Sequence, residues 1–381
     1  MKQIREIPFY YYFMLIASTA IAVGVEWDIS WHSSIGRDKL LSPPHVVIYI
    51  GGILCGLICS FIVFKQTFFT ASKDANGVKF WGFKAPLSCW ICIWGMIAML
   101  TSAPFDDWWH NAYGLDVQII SPPHIVLAAG IFSVILGSCL LILAQKNNFP
   151  NIKLYEILYI YAASLIVVQL SIVLTEYSFA NKQHSYEFYK YSSIVYGFLL
   201  IAFKFPSKFK YSSTMITVFY MIHRMLVVWI LPLFKAEPML APIYRDVDYF
   251  VAPYFPVLLI APALIVDVLY GKIYMLNKFY QSIIMSVCIC AAIFIVQWYF
   301  SIFLLSDYAS NWFFGSGKNI PYFIPIGPWE GKFFEFDFTP YGKKIPLGSM
   351  NPLNFLYICL YTSVSIYLAY GFSNWLKKIK R

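Results

Sequence analysis

Long apolar runs, separated by short polar segments, recur along the whole chain. A run of about 20 apolar residues is enough to cross a bilayer core of about 30 Å. We count ten such runs, at residues 8–27, 45–64, 85–103, 124–145, 154–174, 191–203, 211–234, 249–271, 279–305 and 351–376. The pattern therefore predicts an all-α polytopic membrane protein with about ten transmembrane helices.

Composition agrees with this pattern. The 381 residues are 60% hydrophobic and 12% charged, and the mean hydropathy is +0.64. These values lie far outside the range of soluble globular proteins. The lipid bilayer is thus the first expected partner.

The charges predict an orientation. Of the 28 basic residues, 17 lie in the terminal and alternate loop segments on one side, and the acidic residues concentrate in the opposite loops. By the positive-inside rule both termini are cytoplasmic. The net charge of +9 follows from this topology, so nucleic-acid binding is not expected. We expect a bacterial inner-membrane protein whose acidic loops face the periplasm.

One polar pattern occurs twice, and both copies end in Ser-Pro-Pro-His. The copies are Asp28-x3-His32-x5-Asp38-x6-His45 and Asp106-x3-His110-x5-Asp116-x7-His124, which together hold four of the six histidines. The first three positions are offset by 78 residues and the last by 79. This regularity predicts that the first four helices form two parallel helical-hairpin repeats.

The repeated residues are suitable metal ligands. Asp and His four residues apart lie on one helix face, and Ser-Pro-Pro is typical of a helix start. We therefore predict two three-ligand sites with open positions, one formed by Asp28, His32 and His45, the other by Asp106, His110 and His124. Imidazole and carboxylate donors suit copper, iron and zinc. The alternative is that these are interfacial polar residues bonded to loop backbone and headgroups.

Residues close to these ligands also repeat. Asp38 and Asp116 occupy matching positions and could orient a ligand histidine through a hydrogen bond. Arg37, beside Asp38, belongs to the same expected outer layer of the site. A local Arg37–Asp38 structural pair is the alternative.

Other polar or reactive residues are weaker candidates. His223 and Arg224 lie near the middle of the seventh apolar run, where polar groups are usually functional, although bundle packing is an equal alternative. Asp267 should lie too far along the bilayer normal to pair with Arg224. We interpret Glu176 and His184 as residues of an ordinary outer loop, with further metal ligation as the alternative, and Cys89-x2-Cys92 as helix packing.

The repeats divide the chain into two parts. Residues 1–150 form the duplicated helical-hairpin metal-binding region, and residues 151–381 add further transmembrane helices. A long outer loop at 306–350 is rich in aromatic residues, glycine and proline. Loops of this length usually have a purpose, and a lid over the outer face is one possibility. An aromatic loop resting on the membrane interface is the other.

The first copy resembles a known signature. Trp27-Asp28-Ile29-Ser30-Trp31-His32, then Arg37-Asp38 and Ser42-Pro43-Pro44-His45, is similar to a motif in one membrane subunit of the copper membrane monooxygenases, the particulate methane and ammonia monooxygenases. The resemblance covers about residues 20–145. It implies one copper site at Asp28, His32 and His45, and a second at Asp106, His110 and His124. At the second site Asp106 stands where the family has asparagine.

The resemblance implies an activity as well as a metal. It favours a copper-dependent monooxygenase, or its metal-bearing subunit, acting on a small apolar substrate. Additional monooxygenase-type subunits or a homo-oligomer would complete such an assembly. The main alternative is a non-enzymatic metal-handling protein or transporter, and a structural subunit retaining ancestral sites is a third reading.

Overall fold

The computed structural model describes residues 7–36, 39–69, 77–113, 121–237, 239, 247–315 and 350–380, with the side chain of His110 excepted. The described chain is mostly helical. Its α-helices are α1 Tyr10–Ser34, α2 Pro43–Phe68, α3 Leu87–Tyr113, α4 Pro122–Asn148, α5 Lys153–Val173, α6 Thr175–Ser178, α7 Tyr186–Ala202, α8 Ser212–Ile230, α9 Ile260–Ile273, α10 Lys278–Leu304 and α11 Pro352–Lys378.

Eight helices in the described part of the chain are long and apolar enough to cross a membrane. They are α1 to α5, α8 (extended to Leu233), α10 and α11. This agrees with the prediction of an α-helical polytopic membrane protein. The number differs from ten because the sixth and eighth predicted spans are the shorter helices α7, of 17 residues, and α9, of 14.

Prolines explain the short α9. The predicted run 249–271 contains Pro253 and Pro256, and no helix forms before Ile260. Each proline lacks a backbone N–H and clashes with the preceding helical turn. Val251–Leu259 is therefore non-helical in spite of its apolar composition.

A small β-hairpin precedes α3, which the all-α prediction missed. Strand β1, Val78–Phe80, pairs antiparallel with β2, Phe83–Ala85. The two turn residues, Trp81 and Gly82, have φ of 46° and 83°. Positive φ at both central positions is the feature of the tight hairpin turn whose twist matches the flanking strands.

The chain forms two compact units. Unit 1 comprises residues 1–28, 38–166 and 378–381, and unit 2 comprises residues 29–37 and 167–377. Unit 1 thus holds α2, α3 and α4 with most of α1 and α5. Unit 2 holds α6 to α10 and nearly all of α11.

Small residues let helices of unit 1 approach closely. A Cβ atom added at Gly51 of α2 would lie 2.7 Å from the carbonyl oxygen of Ala17 in α1. One added at Gly130 of α4 would lie 2.8 Å from the carbonyl oxygen of Gly95 in α3. Small residues at such contacts are typical of helix packing in membranes, where backbones touch directly. The two contacts have the same form in the two helix pairs.

Gly130→Ala should therefore destabilise the protein by about 1–3 kcal/mol, because the added methyl group meets backbone that cannot move freely. Gly371→Ala is the matched control, since a Cβ there meets nothing within 4 Å. In that helix, alanine should stabilise by up to about 1 kcal/mol through its better helix propensity. Thermal unfolding of both variants in detergent measures the difference, and equal midpoints would contradict the close contact.

In unit 2, side chains satisfy the backbone of the non-helical segment. The Val251 amide donates to Oγ of Ser34 at 2.8 Å, and Oγ of Ser30 donates to the Val251 carbonyl at 2.5 Å. Irregular backbone at membrane depth is tolerated only where protein groups or water replace the missing hydrogen bonds. The last turns of α1 thus serve as a clamp for this segment.

Two further side chains hold the rest of the segment. Arg224 of α8 donates from Nη2 to the Tyr254 carbonyl at 3.0 Å. The amide of Leu258 donates to Oε1 of Gln297, a buried residue of α10, at 3.1 Å. The buried Arg224 is thereby used, at least in part, to support backbone that has left the helix.

A buried carboxylate joins three helices of unit 2. Asp267 of α9 accepts from the ammonium of Lys204 and from the amides of Ser213, at 3.3 Å, and Thr214, at 2.8 Å. The two amides belong to the first turn of α8, where unpaired N–H groups favour an anion. Asp267 therefore pairs with Lys204, in line with the expectation that it lies too far from Arg224.

Candidate metal centre

Helices α1 and α2 bring together two of the repeated residues. Asp28 lies near the end of α1, and His45 is the third residue of α2, which begins at Pro43. The Nε2 atom of His45 lies 3.3 Å from Oδ1 of Asp28, and the side chains are 14% and 22% exposed. The first pair is thus half-buried at one end of unit 1.

The second copy produces the same arrangement. Nε2 of His124 lies 3.4 Å from Oδ1 of Asp106, with the histidine in the first turn of α4 and the aspartate in α3. Ser121 caps α4 by accepting from the His124 amide at 3.4 Å. The predicted Ser-Pro-Pro helix start is confirmed here. At the first copy Ser42 precedes the helix likewise, but its hydroxyl accepts from the Lys39 amide at 2.7 Å.

The backbone fixes the tautomer of His45. Its Nδ1 atom lies 3.0 Å from the carbonyl oxygen of Lys39. Because a carbonyl oxygen only accepts, Nδ1 must carry a proton, which leaves Nε2 facing the Asp28 carboxylate. A lone pair facing a carboxylate is repulsive, so the contact requires a second proton or a metal ion between the two atoms. A backbone acceptor behind a ligand histidine is the usual support of a metal site.

The distances fit a shared ion. Two donors that each lie about 2.1 Å from one metal ion are about 3–4 Å apart. The His45–Asp28 and His124–Asp106 separations, 3.3 Å and 3.4 Å, fall in that interval. One imidazole nitrogen and one carboxylate oxygen are donors that copper, iron and zinc all accept.

The third predicted ligand of each site is not brought into the pair. His32 is an exposed residue one turn beyond Asp28 in α1, and the side chain of His110 lies outside the described residues. Within the described residues no three His, Cys, Asp or Glu side chains are placed to hold one ion. The three-ligand composition stays a prediction. Arg37, Asp38 and Asp116 also lie outside the described residues.

Acidic neighbours of the two pairs differ in environment. Glu26 of α1 is 1% exposed, two residues before Asp28, whereas Asp107 is exposed and accepts from Asn111 at 3.3 Å. The sequence ranked both as minor candidates because they do not repeat in phase. A carboxylate buried as deeply as Glu26 carries a desolvation cost that interfacial residues avoid. No periodicity signal distinguishes it.

The remaining candidates are built into unit 2. His223 and Arg224 of α8 are 7% and 6% exposed. His184 stacks on Trp298 with ring centroids 3.6 Å apart, and its Nε2 lies 3.0 Å from the Trp298 carbonyl. Burial lowers the pKa of His184, and the hydrogen bond to that carbonyl opposes the shift. Glu176 lies 3.9 Å from Lys182 across the loop. These contacts agree with a structural loop.

Only the first part of the long outer loop is described. Its 3₁₀ turn Trp312–Phe314 packs on α8, where Nε1 of Trp229 donates to the Phe313 carbonyl at 2.9 Å. The predicted lid falls on residues 316–349, which lie outside the described residues.

Comparisons with family models, with curated proteins and with solved structures find no match for this chain. The resemblance to the copper membrane monooxygenases therefore rests on the motif residues and their spacing.

Proposed function

We propose that this protein is a membrane metalloprotein that binds copper at its two Asp–His pairs, and that it is a copper-dependent monooxygenase or the metal-bearing subunit of one. Its substrate would be a small apolar molecule drawn from the bilayer. One observation carries the proposal: both copies of the pattern bring histidine Nε2 to aspartate Oδ1, at 3.3 Å and 3.4 Å. Iron and zinc are the alternative metals for the same donors.

The same geometry supports two parallel hairpin repeats, α1–α2 and α3–α4. Ala17 and Gly95 are 78 residues apart, and Gly51 and Gly130 are 79 apart. These are the offsets of the aspartate and the last histidine of the pattern. Since packing contacts and polar pairs share them, we infer that one hairpin was duplicated with its site.

The roles of the residues follow from their contacts. Asp28 and His45 would hold one ion, and Asp106 and His124 the other, with His32 and His110 as the additional ligands that the pattern supplies. The Lys39 carbonyl orients the His45 ring. When bound, copper supplies the one-electron and dioxygen chemistry that side chains lack. With both termini cytoplasmic, the sites face the periplasm, where partner subunits or another copy of the chain could cover them.

Metal analysis of the purified protein tests the proposal. We expect copper at both pairs after mild purification, and nitrogen hyperfine structure in the Cu(II) electron paramagnetic resonance spectrum, since an imidazole is a ligand at each. Reconstituted protein should then consume dioxygen with a small apolar substrate and a membrane quinol. Protein free of copper, iron and zinc that also fails to bind added copper would contradict it.

A second candidate, a metal-handling protein or transporter, is favoured by the non-helical segment Val251–Leu259 of unit 2. Unwound segments held by side chains are typical of transporter substrate sites. Uptake of copper into vesicles, together with its loss in His223→Ala, would favour this candidate over the oxygenase. Oxygen consumption without uptake would exclude it.

A further inference from the structure

Sulfur atoms occupy one face of α3. Cys89, Cys92, Met96 and Met99 follow one another at intervals of three, four and three residues. This spacing places all four side chains on a single stripe of the helix. Both cysteines are fully buried, and Met99 is 1% exposed. The stripe therefore lies inside unit 1.

Neighbouring helices add sulfur to this stripe. Cys59 of α2 lies within hydrogen-bonding range of Cys89 and Cys92, and its Sγ lies 3.9 Å from Sδ of Met14 in α1. Cys55, one turn before Cys59, is fully buried on the same helix. Three helices thus contribute thiols and thioethers to one sulfur row, which we define as Met14, Cys55, Cys59, Cys89, Cys92, Met96 and Met99.

Two glycines of α2 make room for the thioethers of α3. A Cβ atom at Gly56 would lie 2.1 Å from Sδ of Met96, and one at Gly52 would lie 3.1 Å from Sδ of Met99. Any larger residue at Gly56 would displace the Met96 thioether. The α2 surface is therefore shaped around sulfur atoms, and the row continues from the thiols towards the Asp–His end of the hairpins.

We propose that the sulfur row binds a soft monovalent metal ion, Cu(I), through pairs of thiol and thioether sulfurs. Thiolate and thioether donors select Cu(I) over harder ions. Two sulfurs at about 2.3 Å from one ion can be at most about 4.6 Å apart, and the 3.9 Å between Cys59 and Met14 satisfies this limit. The ion replaces the proton of the thiol, which leaves to solvent.

The row also has a direction. Cys89 and Met99 are ten residues apart, about 15 Å along the helix axis. Met99 precedes Asp106 by seven residues on the same helix. Sulfur ligands therefore extend through about half of the bilayer core towards the second Asp–His pair. This placement suits a store or route for Cu(I) inside the protein, a role that needs no oxygenase activity.

Removal of single sulfur atoms tests the proposal. Cys59→Ala and Met14→Leu each delete one donor, and the leucine keeps nearly the volume of methionine. Cys139→Ala is the matched control, because Cys139 is equally buried in α4 of the same unit but lies outside the row. The full-length protein is titrated with Cu(I), or with Ag(I) as its probe, under reducing conditions. Bound ion should fall several-fold in the first two variants and stay unchanged in the control.

X-ray absorption at the copper edge identifies the ligands. We expect sulfur neighbours at about 2.3 Å in the wild-type protein and their loss in Cys59→Ala. Equal Cu(I) binding in all variants, or nitrogen and oxygen neighbours alone, would overturn the sulfur site. His45→Ala separates the two proposals, since it removes a nitrogen-ligated Cu(II) site and should leave the sulfur-bound Cu(I) in place.

Discussion

Replacement of His45 by alanine should abolish copper binding at the first Asp–His pair. The variant loses one of the two donors that the structure brings together at 3.3 Å. Even loss of an outer hydrogen-bond partner weakens metal sites by about 10–100-fold, so loss of a direct ligand should exceed about 100-fold. Copper analysis and Cu(II) electron paramagnetic resonance measure the loss. The second pair should keep its metal, because its ligands come from α3 and α4.

The controls use the remaining histidines. His124→Ala should remove the other signal, and the double variant should have neither. His184→Ala should retain both, because that ring stacks on Trp298 in unit 2. Binding at the first pair should weaken as pH falls, since a proton competes for His45 Nε2. Full copper retention in the double variant would show that the pairs are only ion pairs.

Replacement of Asp267 by asparagine should destabilise unit 2 by about 3–5 kcal/mol, the usual cost of leaving a buried charge without its partner. The carboxylate accepts from Lys204, from the amides of Ser213 and Thr214 and from the Thr214 hydroxyl, at 2.7 Å for the last. The amide cannot balance the lysine charge. Denaturant unfolding in detergent measures the loss.

A double variant distinguishes the charge from the packing. Lys204→Met with Asp267→Leu removes both charges, and well-packed apolar substitutes for a buried pair are often neutral or stabilising. We expect it to be more stable than Asp267→Asn alone. Asp107→Asn is the surface control and should change stability by less than about 0.5 kcal/mol. If Asp267→Asn changed stability as little as Asp107→Asn, the buried network would not hold the three helices together.

The long apolar helices could be predicted because their length and composition alone meet the bilayer requirement. The failures have local causes. Pro253 and Pro256 interrupt an apolar run that hydropathy reads as a helix, and only knowledge of their partners shows that the backbone can remain inside the protein. The hairpin at Trp81-Gly82 was missed because three-residue strands are too short for a periodic signal.

The two Asp–His pairs could be predicted because the ligands repeat at fixed spacing on helix ends. The Lys39 carbonyl behind His45 could not, since any backbone acceptor would satisfy the ring and the sequence does not specify which. The sulfur row shows the same limit. Its α3 stripe is visible in the sequence, but the contact of Cys59 with Met14 joins residues 45 positions apart and depends on tertiary packing.

The non-helical segment has a consequence for biosynthesis. Ser34 and Ser30 wait for Val251, which follows them by 217 and 221 residues, and Leu258 waits for Gln297, which follows it by 39. Until all these residues have left the ribosome, the segment exposes polar backbone that lipid cannot accommodate. Its insertion must therefore be among the last steps of assembly. A chain interrupted before residue 297 would present this stretch to membrane quality-control proteases.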